Sequence, residues 1–361
     1  MVRDQAVGYF QQALDYFQRC LCLQELQLSD AEGQAHRIND IMTISPGDDA
    51  EPAGDVEHSV SDERWALIVE PVTENTLTDT IIAQLETLSA LCTVLGSYGG
   101  TLIKWIEDYY STNLKEKVTV YGAASGRQRD TGLARARFTW AFANSAFRAG
   151  LVDINTYERE LVSSFTSLDF AQDPEALCDK ADAEIAVNSS IKDQLSILRQ
   201  SRDLPSLNNM RWRYLSLALE DLSAASKLAN AQNLGRVHSR RGDCEALRYQ
   251  LGQELTRHGH AFRSTSVLLK NAETYYRGAA GFFRSEGASE EEREAITKEA
   301  IVAGLLGDVE KLQPIFREAK EGKSDLRVTI ADMEDEGLLS QENAALIASS
   351  FRENHETSRS S

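Results

Sequence analysis

Apolar residues return at three- and four-residue intervals along almost the whole chain, and only 6 prolines interrupt it, three of which (Pro46, Pro52 and Pro71) crowd into one short stretch. That period places apolar side chains on one face of a helix, whereas a half-buried strand would alternate every second residue. Ala6, Phe10, Ala13, Leu14, Phe17 and Leu21 share such a face in the first segment, about residues 3–27. Leu77, Ile81, Leu85, Leu88, Cys92 and Leu95 repeat the pattern, as do Trp212, Leu215, Leu219, Leu222 and Ala225. Val118-Thr119-Val120-Tyr121 is the one stretch whose composition suits a strand. The expected class is therefore all-α, and 361 residues are enough for a sizeable core, in two domains or in one elongated repeat array.

Local signals divide the chain further. Ser29 followed by Glu32 has the form of a capping box, so a second helix is expected from there to about Met42. The segment about residues 64–352 is expected to carry the rest of the helices, and residues 353–361 a polar tail. Asp173-Pro174 pairs a capping residue with a first-turn proline and should open a helix through Leu177, Ala181 and Ile185. Ser289 and Glu292 form another capping box ahead of a helix reaching Leu306. Leu234 to Arg240 and Glu245 to Leu255 are expected to form a tight helical hairpin around Gly242-Asp243.

Charge narrows the partners. With 38 Lys and Arg against 56 Asp and Glu the net charge is −18, which argues against general affinity for nucleic acid or for an anionic membrane and favours a basic partner. The hydrophobic fraction of 42% and charged fraction of 26% rule out wholesale disorder. Between residues 43 and 63, however, the apolar pattern disappears, and Asp48, Asp49, Glu51, Asp55 and Glu57 accumulate without a Lys or Arg. That stretch has too little apolar area to offset the entropy of ordering, so it reads as a mobile acidic loop. It is either a solvated linker or an electrostatic docking arm for a cationic partner, with Ser59 and Ser61 set among the acids as phosphorylation candidates.

No run of about eighteen apolar residues occurs, so no membrane span is expected. The start, Met1-Val2-Arg3-Asp4-Gln5, lacks the apolar core of a signal peptide. Cys20, Cys22, Cys92, Cys178 and Cys244 form an odd, scattered set with no CxxC pair, which reads as reduced thiols of a cytoplasmic or nuclear protein.

Catalytic and metal signatures are thin. His258-Gly259-His260 and Cys20-Leu21-Cys22 are the available ligand clusters; one falls in an expected loop and the other splits across two helix faces. There is no GxSxG elbow. The loop from Gly122 to Gly126, followed by Arg127 and Arg129, has glycines for a phosphate but neither the Walker Lys-Ser/Thr ending nor a preceding strand. No enzyme activity, cofactor or metal is expected on these grounds.

Leu234-Gly235-Arg236-Val237-His238-Ser239-Arg240-Arg241-Gly242-Asp243 resembles the first helix and turn of a tetratricopeptide repeat. Ala143, Ala146 and Gly150, then Ala303-Gly304 with Gly307-Asp308, echo its small-residue spacing, and Ala6, Phe10, Ala13 and Leu14 look like the second helix of a unit. The resemblance implies antiparallel helix pairs stacked into a right-handed superhelix, an α-solenoid, with a concave groove for a protein partner. Some members of that superfamily clamp a chaperone's terminal carboxylate; Asn144 fits one position of the clamp, but Trp140 stands where a cation belongs, which disfavours it. Arg236, Arg240 and Arg241, with Arg211 and Arg213, would make a positive spot in the groove if brought together, or else serve surface ion pairs. The expected function is a non-enzymatic scaffold or escort for a basic client of the histone or ribosomal-protein type. The alternative is a constitutive subunit of a larger complex that holds a neutral peptide or helix.

Overall fold

The computed structural model describes residues 2–43, 71–95, 100–197, 204–257, 265–320 and 326–357, and no strand occurs among them. The all-α class is therefore what the chain adopts, and Val118 to Tyr121 are helical like their neighbours. The chain divides into two compact units, Met1–Ser145 and Ala146–Ser361.

The first unit contains α1 (Val2–Thr43), α2 (Glu74–Leu95), α3 (Gly100–Asn113), α4 (Lys115–Ala124) and most of α5 (Gln128–Arg148). The separate helix expected from Ser29 is not separate: α1 runs through it, because a capping pattern needs a break in the backbone ladder and no proline supplies one there. In contrast, α2 opens on a reciprocal cap. Thr73 N–H donates to Thr76 Oγ1 at 3.0 Å, and Thr76 N–H donates back to Thr73 Oγ1 at 3.4 Å. Leu14 and Leu21 of α1 are fully buried, as are Leu77, Ile81, Leu85, Leu88 and Leu91 of α2. Polar contacts fix the register of this packing: Thr80 Oγ1 lies 2.9 Å from Gln24 Oε1, and the Tyr109 hydroxyl reaches Gln84 Oε1 at 2.7 Å and the Leu14 carbonyl at 3.0 Å. Lys117 of α4 pairs with Glu25 of α1 at 2.7 Å.

The second unit begins with α6 (Ile154–Phe165) and continues through α7 (Pro174–Ile197), α8 (Leu204–Ala225), α9 (Leu234–Arg257), α10 (Thr265–Glu286) and α11 (Ser289–Leu305). Then come a 3-10 turn (Val309–Lys311), α12 (Leu312–Lys320), α13 (Leu326–Asp335) and α14 (Gln341–Thr357). The three prolines beyond residue 71 all sit in the first turn of a helix (Pro174, Pro205 and Pro314), where a missing N–H forfeits no helical bond. Asp173 caps α7 as expected, accepting from Ala176 N–H at 3.0 Å. At α11 the capping residue is Ala288 and not Ser289, with no side-chain bond. Gly287, at φ 75°, closes α10 directly before it and leaves no room for a longer lead-in. α14 continues to Thr357, past the expected start of the tail at residue 353.

Consecutive helices run antiparallel. Lys180 meets Asp221 while Asn188 meets Arg211; Gly235 lies against Phe283 while Gly242 lies against Tyr276; Arg284 pairs with Glu292 while Arg277 pairs with Glu299. The hairpin expected at Gly242-Asp243 is absent, because α9 is one unbroken helix from Leu234 to Arg257. Gly242 is there for a close helix approach: a Cβ would stand 2.6 Å from the Tyr276 ring. Helices α7 to α10 begin at residues 174, 204, 234 and 265, that is 30, 30 and 31 residues apart. One helix thus fills nearly the interval in which a tetratricopeptide unit places two. The main core of the unit gathers Leu215, Leu247, Leu251, Ile301, Phe316, Met333 and Ile347, so α12 to α14 fold back onto α8, α9 and α11.

Candidate functional site

The polar chemistry of the second unit is concentrated between helices. The antiparallel stacking of α7, α8 and α9 places Arg211 in the interior at 3% exposure, where it donates to Asn188 Oδ1 (2.9 Å), Asn208 Oδ1 (3.1 Å) and Glu254 Oε2 (2.7 Å). Asp182 of α7 receives Arg236 at 2.7 Å and Arg240 at 3.2 Å. Arg240 also pairs with Asp243 at 3.3 Å, and Asp243 accepts from the Tyr276 hydroxyl at 2.8 Å. Lys298 of α11 lies 3.5 Å from Asp243, 2.9 Å from Glu294 and 4.0 Å from Glu336. Burial alone would push the Lys298 ammonium down, but Asp243 and Glu294 hold it above its usual range. Burial pushes the Tyr276 phenol far up, with Asp243 adding to the effect, so it remains a donor. This chain of polar contacts links α7, α9, α10 and α11 to Glu336, just past α13.

The arginines that could have formed a positive spot each meet a carboxylate or a ring. Arg236 and Arg240 are committed to Asp182 and Asp243, Arg213 pairs with Glu158, and Arg241 lies over the Tyr275 ring, 4.1 Å from its centroid. Ion pairs to neighbouring acids are the use that the surplus of carboxylates favours for these arginines. Asn144 is half-buried on α5 in the first unit. Trp140, one turn before it, has its indole N–H buried without an acceptor among the described residues. Asp48, Asp49, Glu51, Asp55 and Glu57 lie outside the described residues, as do His258 and His260. Of the thiols, Cys92 and Cys244 are buried and Cys20 and Cys22 exposed. Burial, only partly countered by a hydrogen bond with Ser145, pushes the Cys92 thiol up to about 12 and keeps it inert. No group of three or more His, Cys, Asp or Glu suited to a metal occurs among the described residues.

A cavity of about 480 Å³ opens between α6, α7 and α8 and the segment that joins the first two, with walls of Leu161, Val162, Phe165, Phe170 and Leu217. Its polar lining is Glu158, Lys180, Glu184, Arg213 and Tyr214. At the rim the Tyr214 hydroxyl donates to Glu158 Oε1 at 3.1 Å, and Arg213 pairs with the same oxygen. Deeper, Lys180 Nζ lies 2.6 Å from Asp221 and 3.5 Å from Glu184, and 5.5 Å from the centroid of the Phe170 ring. Glu184 has only 4% of its side chain exposed, and its Oε2 accepts no hydrogen bond among the described residues; Asp221 becomes its partner when one of the two carboxyls carries a proton. Burial and then the adjacent Asp221 carboxylate push Glu184 up to about 8, while Lys180 pulls the other way. Lys180 and Glu184 stand at i and i+4, an ordinary pattern for a solvated helix face; nothing in that spacing announces that α8 buries the glutamate.

Comparison with family models, with curated proteins and with solved structures finds no match to this chain. No helix among the described residues is long and apolar enough to cross a membrane.

Proposed function

We propose that the protein is a non-enzymatic helical scaffold that binds a basic protein partner, a client of histone or ribosomal-protein character. The observation that carries this reading is the net charge of −18, combined with the way the cations are used. The arginines that would soften the acidic field of the second unit are paired internally with Asp182, Asp243 and Glu158, so the surplus carboxylates dominate what a partner meets. Stacked antiparallel helices suit the role, because they offer long faces and groove walls without needing a catalytic cleft. The superhelical groove implied by the repeat resemblance is part of the proposal. Titrating labelled core histones into the full chain at 50 and at 300 mM NaCl tests it. Binding that weakens steeply with salt is the expected outcome, and absent or salt-insensitive binding overturns it.

One observation favours a second reading, that of a subunit holding a neutral helix. On α1 the outward face carries Tyr9, Tyr16, Leu23 and Leu26, all more than 60% exposed, the first three at seven-residue spacing. Loss of a salt-insensitive complex on Tyr16→Asp would favour that reading over the first.

A further inference from the structure

The cavity between α6, α7 and α8 has a charge pattern that selects its ligand. Its walls are aliphatic and aromatic and include Lys180 and Glu184; Asp221, which does not line it, also holds Lys180, so two carboxyl groups share a single ammonium. Glu158 at the rim is already matched by Arg213 and the Tyr214 hydroxyl. With both inner carboxyls ionised the site lacks one positive charge. Glu184 Oε2 accepts no hydrogen bond among the described residues, on a side chain almost wholly buried, and a proton shared with Asp221 or a bound cation is what can answer it there.

We propose that this cavity binds a primary ammonium group on an aliphatic stem, with the stem against Phe165, Phe170 and Leu217 and the charge against Glu184. A carboxylate ligand is the poorer fit, because it would have to take Lys180 from Asp221 at 2.6 Å or Arg213 from Glu158. The aromatic rings favour a cation as well: Lys180 already approaches Phe170, and the Arg213 guanidinium lies 4.9 Å from the Tyr214 ring centroid. At neutral pH Glu184 holds a proton, since burial and Asp221 raise it to about 8. The incoming ammonium takes over the role of that proton, which leaves Glu184 as carboxylate and passes to solvent. No covalent bond forms or breaks in the ligand. The groups facing Glu184 are Lys180 on its own helix and Asp221 on α8, with the Glu158, Arg213 and Tyr214 set beyond them.

A free amine and a lysine side chain present the same chemistry, and the test separates them. Calorimetric titration of the full chain with n-hexylamine, hexanol, hexanoate and the capped peptide acetyl-Gly-Lys-Gly-amide supplies the readout. Hexylamine should bind about 20-fold more tightly at pH 8.5 than at pH 6.5, because one proton must leave a group titrating near 8. Changing to a buffer of different ionisation enthalpy should reveal close to one proton released at the lower pH. Glu184→Gln should weaken hexylamine binding and abolish its pH dependence. Leu217→Trp should block the cavity while leaving both carboxyls in place. Matching behaviour of the peptide assigns the site to a lysine side chain; binding of hexylamine without the peptide assigns it to a free amine. Failure of both, preference for hexanoate, or an unchanged pH response in a folded Glu184→Gln overturns the proposal. None of these titrations involves a basic protein, so the site and the scaffold reading fail separately.

Discussion

Gly242 shows how one residue can be read correctly as special and incorrectly as to why. Gly-Asp after a short helical run signals a turn, yet the residue lies inside α9, and its missing side chain admits the Tyr276 ring from α10. Alanine is the better helix former by about 1 kcal/mol. Even so, Gly242→Ala should destabilise by about 1–3 kcal/mol, the typical cost of forcing extra atoms into a packed interface, and Tyr276→Leu in the same chain should recover part of it. Chemical denaturation of the two single variants and the double variant would check this; additive losses would contradict it. Arg211 makes a second case. Truncation to Ala leaves the buried acceptors of Asn188 and Asn208 unanswered, so a loss of about 2–4 kcal/mol is expected, whereas Arg213→Ala at an exposed pair should cost less than about 1 kcal/mol.

Helix boundaries were readable where a residue acts on the backbone directly, and unreadable where packing decides. Asp173-Pro174 marks a real start, because capping oxygens and proline geometry are local. Asp173→Ala should therefore lower stability by about 1 kcal/mol, visible as a shift in the urea midpoint. Gly242-Asp243 carries an equally good local pattern and marks nothing, because α10 packs against α9 there and stabilises continuation through it; Ser29 to Glu32 marks nothing either, because no proline breaks the ladder of α1 there. The continuity of α9 has a direct readout: backbone amides from Arg241 to Leu247 should exchange with solvent as slowly as those on either side. A turn at Gly242 would leave two or three of them fast.

At the scale of the whole molecule, Glu184 links the fold to pH. Its folded-state carboxyl titrates near 8, against an unfolded value in the ordinary glutamate range. Between those values the native state holds a proton that the unfolded chain has released, so stability falls as pH rises from about 4.5 to 8 and levels off above. Glu184→Gln removes this contribution: the variant should match the parent near pH 5 and exceed it increasingly towards pH 8 in parallel urea titrations. A constant difference across that range would mean the carboxyl is not held neutral. The net charge acts at the same scale, through its field and not through particular contacts. Replacing Asp48, Asp49, Glu51, Asp55 and Glu57 with Ser should slow association of a basic partner more than it speeds release, in stopped-flow traces at low salt.

The amino-acid sequence by itself determined that this protein is helical, acidic and poor in catalytic or metal-binding patterns. Each of these properties is a sum over local residues: the 3.6-residue period, the count of carboxylates, the spacing of His and Cys. What only the tertiary structure decided is which polar residues lose their water. Lys180 and Glu184 on α7 look like any solvated pair until α8 brings Asp221 against them, and Asp243 looks like a turn residue until Tyr276 and Lys298 close over it. Burial and charge pairing arise between helices distant in the chain, through desolvation and Coulomb interactions that no local spacing encodes.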